Sequence, residues 1–581
     1  MATGDRGLTG NADVARLLYE LGALTGRSRQ RGDRYRAEAY RRAAAAVAAA
    51  PVEVLALSER DLTAIPGVGA GTAARIAELR RTGTIAALER LRAADPAGVE
   101  GLLAVPGIGP VTAARLRDAL GVRDIDGLRV ALAAGRLEAV RGLGPVTRAR
   151  IAEGLEHLGP DDGPVRLPIL DAVGVATRFE ATLRALDGVS GLAWCGDLGR
   201  MRDTVGRVEL LLAAPDPAAV LARAATAPPV REVAGRSAGG VELATFDGPV
   251  VHVAAVPPAA FAVERIRRTA HPSHWRSLVR VAAERGIEVD SDGLRDATGT
   301  LVEVADDAAV YAAIGLQPVP AEQRDGTDEL ALAAEGRLPC CAEVADLRGD
   351  LHDHSDWSGD GRMTLAELLD GAVARGWGYV GVTDHAEDLT INGLSRAEVL
   401  AQRDELAALA AERPQLAVLH GAELNIGADG SVDYDPDFLA GYGWAVASVH
   451  SHFRMDAATQ TRRLTTAIQN PAVRAIGHLT GRRVGRRQGI ELDVDAVLDA
   501  CLETGTALEV NCHLDRFDAP AEVLAEAAAR GVLVVISTDA HGVRELDNHR
   551  WGVALARRGR VPAELVTNTW PAERFLDWAA R

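Results

Sequence analysis

The chain has 581 residues, which is the length of about four domains at roughly 150 residues each. It contains no lysine, so all 64 cationic side chains are arginines, and chemistry that needs a lysine Schiff base or a lysine ammonium against phosphate is excluded. With 48% hydrophobic and 25% charged residues the composition is that of a globular protein, and the net charge of −17 argues, for the chain as a whole, against nucleic-acid binding.

The charge is distributed unevenly along the chain. Residues 1–150 carry 23 arginines against 16 acidic residues, a net charge of +7, whereas residues 151–350 and 351–581 each carry −12. A basic segment on an acidic chain predicts one module that faces a polyanion.

The cysteines and the apolar runs bear on the compartment. The five cysteines form no CxxC pair, which is typical of a reducing cytoplasm, and we expect a cytoplasmic location. The most apolar N-terminal run, residues 43–50, is short, follows Arg41 and Arg42 and ends at Pro51, so we expect neither a signal peptide nor a membrane span. No membrane partner is therefore expected.

One pattern occurs three times in the basic segment. The copies read LTAIPGVGAGTAARIAEL, LLAVPGIGPVTAARLRDAL and LEAVRGLGPVTRARIAEGL, with their turns at Pro66, Pro106 and Arg141. Each copy predicts a helix, a tight Gly-hydrophobic-Gly turn and a second helix.

The turn glycines explain what such a hairpin can bind. Glycine permits positive φ and leaves the N–H groups at the start of the second helix open to a phosphate. The pattern resembles the helix-hairpin-helix motif, which grips a sugar–phosphate backbone without reading its sequence. Helical hairpins that only pack on one another are the alternative. The candidate DNA-binding glycines are Gly67, Gly69, Gly107, Gly109, Gly142 and Gly144.

The segment RGDRYRAEAYRRAAAAV, which precedes the first repeat, resembles the opening helices of bacterial family X DNA polymerases (PolX). The resemblance implies an N-terminal helical DNA-binding domain over residues 1–90 and a fingers-like helical region over 91–163. In some relatives a lysine of this region performs 5′-deoxyribose-phosphate lyase chemistry. The absence of lysine excludes that route here.

Residues 164–320 are similar to the α+β palm and thumb of the same family, but the active-site residues differ. Nucleotidyl transfer needs three carboxylates that hold two divalent cations. The matching positions are Arg207, Glu209 and His252, and the turn expected to hold a triphosphate contains Asp197. We therefore expect a degenerate site with little or no polymerase activity. The alternative is an active polymerase in which Asp203 or Asp216 replaces a lost ligand.

Residues 321–346 predict a linker with one short helix, and residues 347–581 a separate domain. Seven apolar runs in this last region end in polar residues and alternate with segments of helical period, a pattern that predicts a distorted parallel (β/α) barrel. Barrel enzymes place their chemistry at the C-terminal ends of the strands. The seven runs are LRGDLHDH, GYVGVTDH, LAVLHGAEL, GWAVASVHSH, VRAIGHLT, TALEVNCH and VLVVISTDAH.

Nine nitrogen and oxygen donors at these strand ends indicate a metal site. Donors without a thiolate suit two or three divalent ions, and we expect Mn²⁺, with Zn²⁺ or Fe²⁺ as alternatives. Side chains two residues apart on a strand, as in HxH, point to the same face. The nine are His352, His354, Asp360, His385, Glu423, His450, His478, Asp539 and His541.

The motifs around these donors resemble the PHP (polymerase and histidinol phosphatase) domain, whose motifs occur here in the same order. The resemblance implies that Glu423 bridges two metals and that Glu423, Asp539 and His541 are catalytic. It assigns His352, His354 and Asp539 to one site, His450 and His478 to another, and Asp360, His385 and His541 to a third. We expect His420, His452, His513 and His549 around the site or on the surface.

Four arginines follow His478 closely and can clamp a phosphate through paired hydrogen bonds. A solvated basic loop is the alternative. They are Arg482, Arg483, Arg486 and Arg487.

These features together predict a monomeric PolX-type DNA-repair protein, in which hairpins and palm hold gapped or nicked DNA and the barrel hydrolyses phosphoesters at its 3′ end. In the family this activity is a manganese-dependent 3′–5′ exonuclease of base excision repair. The alternatives are an active gap-filling polymerase with exonuclease, a small-molecule phosphatase resembling histidinol phosphatase, and a DNA-binding scaffold without catalysis.

Overall fold

The computed structural model describes residues 10–26, 32–94, 102, 105, 108, 110–122, 125–156, 166–237, 239–246, 248–291 and 293–581. The hairpin glycines Gly107 and Gly109 lie outside the described residues. Among the described helices none is long and apolar enough to cross a membrane.

The first N-terminal unit is helical, as predicted. Its two long helices pack on each other, and the first hairpin joins their core through Leu62, Val68 and Ile76. Its helices are Asn11–Gly26, Asp33–Ala48, Glu59–Thr63, Ala70–Thr82 and Ala86–Ala94, with a 3₁₀ turn at Val54–Ala56.

The second and third repeats form one further unit with its own core. Residues separated by the 35-residue period occupy equivalent buried positions, for example Leu116 with Ile151. The backbone hydrogen bond from Val68 to Ile65 in the first hairpin recurs from Ile108 to Val105 and from Leu143 to Val140, so the three repeats share this contact. The helices of this unit are Pro110–Leu120, Ile125–Ala133, the 3₁₀ turn Arg136–Ala139 and Pro145–Glu156.

The palm is a five-stranded sheet in the order β2-β4-β7-β6-β5, with β4 and β7 parallel and the other pairs antiparallel. Helices Ile169–Arg184 and Pro217–Ala224 contribute to its core, and the short helix Gly196–Gly199 follows β2. The five strands of this sheet are β2 Gly191–Cys195, β4 Val208–Ala213, β5 Val230–Ser237, β6 Gly240–Thr245 and β7 Val250–Val256. Two short strands, β1 Leu167–Pro168 and β3 Thr204–Val205, pair antiparallel in a separate sheet.

The thumb combines helices with the small antiparallel sheet β8 (Glu288–Asp290), β9 (Gly293–Arg295) and β10 (Leu301–Val302). The segment 321–346 contains the predicted short helix, but Ala333 and Leu338 are buried in the thumb core. We therefore propose that the thumb extends to Leu338. Its helices are Phe261–Thr269, Pro272–Glu284, Asp307–Ala313 and Glu329–Ala334, with 3₁₀ turns Pro258–Ala260 and Ala321–Gln323.

The C-terminal unit, in which every residue from 347 onward is described, confirms the predicted barrel. Seven parallel strands follow one another in chain order, and a bridge between Asp353 and Ala540 brings the first strand against the last. The strands are β11 Gly349–Asp350, β12 Tyr379–Val382, β13 Ala417–Asn425, β14 Trp444–Ser448, β15 Ala475–Gly477, β16 Ala507–Asn511 and β17 Val534–Ser537.

The helices around the barrel begin at the caps that the sequence provides. Thr364 and Ser395 each accept a hydrogen bond from the backbone N–H of the glutamate three residues later, whose carboxylate returns to the cap N–H. The helices are Leu365–Ala374, Arg396–Ala411, Pro436–Leu439, Ala457–Ile468, Val494–Thr504, Ala521–Arg530, His549–Arg558 and Ala572–Ala579. The 3₁₀ turns are Val344–Asp346, Glu545–Asn548, Ala563–Leu565 and Thr567–Thr569.

The palm and the barrel share one hydrophobic core. Buried residues of both belong to a single cluster, and Trp194 of the palm stacks on Trp551 of the barrel with ring centroids 5.9 Å apart. Because burial of apolar area is the main stabilising contribution in folding, this contact fixes the palm against the domain that carries the histidines.

Candidate metal centre

The nine predicted donors converge on the C-terminal end of the barrel. Each of six strands contributes at least one of them, either within the strand or in the loop that follows it, because parallel strands end at the same rim. Two of the donors, His478 and Asp539, have positive φ, a conformation that is uncommon outside glycine and is concentrated at functional sites.

Glu423 lies at the centre of the group and is 1% exposed. Its Oε2 lies 2.8 Å from His385 Nδ1, and its Oε1 lies 3.0 Å from both His450 Nε2 and His478 Nε2. The Nε2 atoms of His352 and His354 approach the same carboxylate at 3.5 and 3.6 Å. One buried carboxylate therefore faces five imidazoles.

The donors form three groups in which one atom of each residue lies within 4.8 Å of the others. They are His352, His354 and Asp539; His385, Glu423 and His450; and His354, Asp360, His385 and His541. The first matches the predicted division. In the others His385 faces both Glu423 and Asp360, and His478 contacts Glu423 without joining a group.

The unpaired nitrogens of these histidines fit divalent cations. His352 Nε2, His354 Nε2 and His450 Nε2 are buried and lie 3.5, 3.6 and 3.0 Å from the Glu423 carboxylate, but their geometry gives no hydrogen bond among the described residues. Buried polar atoms in native proteins nearly always have a partner. Imidazole and carboxylate donors without a thiolate suit two or three borderline or hard divalent ions, which would supply the missing partners.

The protonation of the donors also fits. Burial, together with the cationic His385 and His541, lowers the pKa of His354 to about 3, and burial beside Arg516 lowers that of His478 to about 3. Both imidazoles are therefore neutral near pH 7, the form that binds metals. Although burial opposes it, the charge of Glu423 raises the pKa of His385 to about 10.

Residues behind the donors hold them in place, and the sequence analysis missed these. Glu509 in β16 is fully buried; its Oε1 lies 2.6 Å from His352 Nδ1, and its Oε2 accepts the backbone N–H of His478 at 2.5 Å. Asn425 Oδ1 lies 2.7 Å from His450 Nδ1. A carboxylate inside the apolar run TALEVN was the available signal for Glu509.

The four arginines that were predicted to clamp a phosphate do not form one group. Arg482 donates to Asp203 and to the carbonyl oxygens of Arg516 and Phe517, so its guanidinium is occupied and we no longer assign it to phosphate. Arg483 pairs with Asp515, and Arg487 stacks over the ring of Phe453.

Arg486 and Arg487 are exposed on this loop. The arginine that reaches the donors is one that the sequence analysis missed. Arg516 Nε lies 3.3 Å from Asp539 Oδ2.

The four remaining histidines of the barrel have other contacts or are exposed. His549 is buried against Asp350 at 3.2 Å, and His513 Nδ1 lies 2.7 Å from Asp515. His420 faces Gln402 at 3.2 Å, and His452 is exposed.

The first glycine of each described hairpin has the positive φ that was expected, but the second glycine does not, Gly69 having φ of −82°. Gly67 and Gly142 have φ of 95° and 87°. A Cβ atom at Gly69 or Gly144 would meet no atom within 4 Å, so these glycines border open space at the start of a helix. This is the arrangement that a phosphate contact requires.

The palm brings its predicted positions together but pairs them internally. Glu209 and His252 are neighbours across β4 and β7, and Glu209 contacts Arg268 at 2.6 Å and Arg207 at 3.2 Å. Two guanidiniums thus occupy the carboxylate that would otherwise face cations.

The two acidic residues considered as substitutes are also occupied. Asp203 pairs with Arg482 and Arg558, and Asp216 caps the helix Pro217–Ala224. Asp197, at the turn, contacts Arg166 at 2.6 Å and Arg200 at 2.7 Å.

Over 562 residues the chain is 32% identical to "DNA polymerase/3′-5′ exonuclease PolX" of Bacillus subtilis, an alignment that covers 96% of this chain and 97% of that protein. The chain belongs to the PolX family. Three family models match parts of the chain: a helix-hairpin-helix domain over residues 9–85, a SAM-like helix-hairpin-helix tandem over 99–156 and a DNA polymerase beta thumb over 265–325.

About two fifths of the chain is also similar to shorter proteins. A probable phosphatase of Caldanaerobacter subterraneus is 26% identical over 242 residues, 38% of this chain and 86% of that protein. A probable phosphatase of Acetivibrio thermocellus is 27% identical over 241 residues, 40% of this chain and 95% of that protein. The expected family and fold class are therefore confirmed.

Glu509→Gln should weaken binding of Mn²⁺ by roughly 10- to 100-fold, because an amide has one acceptor oxygen and cannot keep both the contact with His352 Nδ1 and the hydrogen bond from the His478 N–H. Isothermal titration calorimetry of the full-length protein measures the change. Glu503→Gln, an exposed glutamate on the helix Val494–Thr504, is the matched control. Equal affinities in the two variants would contradict the prediction.

Metal binding should release protons at neutral pH and tighten as the pH rises toward 10. His385, with a pKa raised to about 10, is protonated below that pH and must lose its proton to bind a metal. Calorimetry in two buffers with different ionisation enthalpies measures the number of protons. His385→Gln should release fewer than wild type, whereas His420→Gln, which changes a histidine outside the donor set, should not; identical heats in both buffers would refute this.

Proposed function

We propose that this chain is a metal-dependent DNA 3′–5′ exonuclease of the PolX type that processes 3′ ends at gaps or nicks and has lost polymerase activity. The observation that carries the proposal is the complete set of nine donors at the barrel rim, in a chain that matches a PolX protein over nearly its whole length. The helix-hairpin-helix and thumb matches indicate that the chain binds DNA.

The donor set supports a phosphoesterase. The donors would hold two or three divalent ions, Mn²⁺ being our choice, and such ions activate water and neutralise charge on the phosphate. The contribution of the chain is geometric: the buried Glu423 holds the donors around one point, and neutral His354 and His478 keep their lone pairs available.

The exposure of the donors supports one direction of substrate entry. The side chains of His352, His354 and His478 are 0% exposed, whereas that of Asp360 is 34% exposed and that of His541 is 23% exposed. We propose that the phosphoester approaches along the Asp360–His541 side, with Asp539 and Glu423 at the reacting end.

Arg516 lies on the loop that follows β16 and faces this centre. Its Nε contacts Asp539, and its guanidinium can bind a phosphate oxygen in the planar manner that lysine cannot. Arg486 and Arg487, both exposed, extend the positive charge outward along the loop that follows His478.

A small-molecule phosphatase is the second candidate, because the barrel alone is similar to probable phosphatases. The N-terminal hairpins favour the nuclease: they present glycine turns to open space in a segment of net charge +7. A phosphatase of small molecules has no need of such a module.

The first test uses the full-length protein with Mn²⁺ on DNA labelled so that loss of the 3′ terminal nucleotides is visible on a denaturing gel. Wild type should shorten the strand, and Asp539→Ala should lower the rate by at least about 100-fold, because a donor and the contact of Arg516 are lost together. Asp577→Ala, an exposed residue of the last helix, is the control.

Shortening that persists in Asp539→Ala, or hydrolysis of histidinol phosphate without any action on DNA, would refute the nuclease.

The second test concerns the palm. Wild type should add no nucleotide to the primer of a gapped substrate with all four deoxynucleoside triphosphates and Mg²⁺ or Mn²⁺, because Glu209 is paired with Arg207 and Arg268 and no second carboxylate stands at His252. Primer extension on a sequencing gel measures this. To keep the nuclease from masking extension, the assay is repeated in Asp539→Ala. Elongation by either protein would show that the palm is active.

A further inference from the structure

A largely buried arginine, Arg482, connects the palm to the metal centre. Asp203 lies on the palm loop between the helix Gly196–Gly199 and β3, and it accepts hydrogen bonds from two arginines of the barrel. Arg482 Nη1 lies 2.8 Å from Asp203 Oδ2, and Arg558 Nη1 lies 3.1 Å from Asp203 Oδ1. The palm thus supplies the carboxylate that pairs with two arginines of the barrel, which lie 279 and 355 residues further along the sequence.

Arg482 uses its other nitrogens within the barrel. Its Nε donates to the carbonyl oxygen of Arg516 at 3.0 Å, and its Nη2 donates to the carbonyl oxygen of Phe517. The side chain is 14% exposed. One guanidinium therefore joins a palm carboxylate to two successive carbonyls of a barrel loop.

That loop carries the arginine that reaches the donors. Arg516 Nε lies 3.3 Å from Asp539 Oδ2, and Asp539 Oδ1 lies 3.3 Å from His354 Nε2. On the other side Asp518 Oδ2 accepts the backbone N–H of Thr480 at 3.0 Å, two residues after His478. The loop 512–518 therefore spans the distance between Arg482 and two of the donors.

We propose that Asp203 is a positioning residue for the metal centre: it orients Arg482, which fixes the backbone at Arg516 and Phe517 and so holds Arg516 against Asp539. The proposal rests on the proposed function, since it assigns Asp203 a part in the same site. It also gives the palm a role that needs no polymerase chemistry.

Electrostatics explain why the carboxylate is required. Without Asp203 the largely buried guanidinium of Arg482 would keep hydrogen bonds only to neutral carbonyls, and loss of its direct ion pair is costly in a protein interior. The buried Asp518 interacts with the charge of Arg482 but makes no hydrogen bond to it among the described contacts. Without Asp203 we expect Arg482 to turn toward solvent and release the two carbonyls.

Arg558 allows this positioning role to be distinguished from a general contact between palm and barrel. It pairs with the same Asp203 and donates to the carbonyl oxygen of Met201, but none of its hydrogen bonds reaches the loop 512–518. Removing it weakens the contact between palm and barrel and leaves the link through Arg482 intact. Arg558→Gln is therefore the matched control for Arg482→Gln.

The experiment compares full-length Asp203→Asn and Arg482→Gln with Arg558→Gln and with Asp187→Asn, an exposed palm residue. Three quantities are measured: amide hydrogen exchange of residues 512–518 in the metal-free protein, Mn²⁺ affinity by calorimetry, and kcat and KM for 3′-end shortening. Asp203→Asn preserves side-chain volume, and circular dichroism checks that each variant is folded.

Asp203→Asn and Arg482→Gln should speed exchange in the loop, weaken Mn²⁺ binding and lower kcat by roughly threefold to thirtyfold with KM for DNA unchanged. Asp203→Glu, which keeps the charge, should restore part of the loss, and both controls should resemble wild type. Wild-type exchange in Asp203→Asn, or an equal effect of Arg558→Gln, would overturn the proposal. If wild type does not shorten DNA, the proposed function fails while the exchange experiment still decides the role of Asp203.

Discussion

The barrel is organised around the burial of one carboxylate. Glu423 lies almost wholly out of water, and a buried charge persists only where opposite charges and hydrogen bonds compensate it. Five imidazoles approach it from four neighbouring segments, so the strand order, the positions of the strand ends and the short loops must all bring histidines to one point. The buried Glu509 orients the ring of His352, and the half-buried Asn425 orients the ring of His450. The geometry of the metal centre and the packing of the barrel therefore depend on the same few contacts.

The palm shows the opposite outcome for the same kind of residue. There a buried glutamate, Glu209, lies where the resemblance predicts a metal-binding site. Arginine side chains, and not metal ions, compensate its charge. Asp197 at the adjoining turn is compensated in the same way by Arg166 and Arg200. Guanidinium groups thus take the places that metal ions would hold, an arrangement that supports the proposed loss of polymerase activity. At the barrel rim the Nε2 atoms of His352, His354 and His450 make no hydrogen bond among the described residues, whereas in the palm the carboxylates of Glu209 and Asp197 are paired with arginines.

Much of this could be predicted from the sequence, because the decisive signals are local. Apolar runs that end in polar residues located the seven strands, and the period of two within HxH placed His352 and His354 on one face. What could not be predicted depends on contacts between distant segments. Glu509 acts on a histidine 157 residues away, and Arg482 is held by a carboxylate 279 residues away, so its neighbours in sequence indicated a phosphate clamp. The division of His385 between two donor groups depends on the orientation of its ring, which no spacing encodes.

The shared core of palm and barrel affects whether this barrel can exist as a separate protein. The probable phosphatases that resemble the barrel are aligned over 86% and 95% of their own lengths, so in them the barrel makes up nearly the whole protein. In this chain Trp551 and its neighbours lie against Trp194, and a barrel separated at the thumb boundary would present that apolar face to water. A barrel produced alone is therefore expected to aggregate more readily than the full-length chain. Substitutions inside the palm leave this contact intact, so the outer surface of the palm covers the barrel whether or not the palm carries out chemistry.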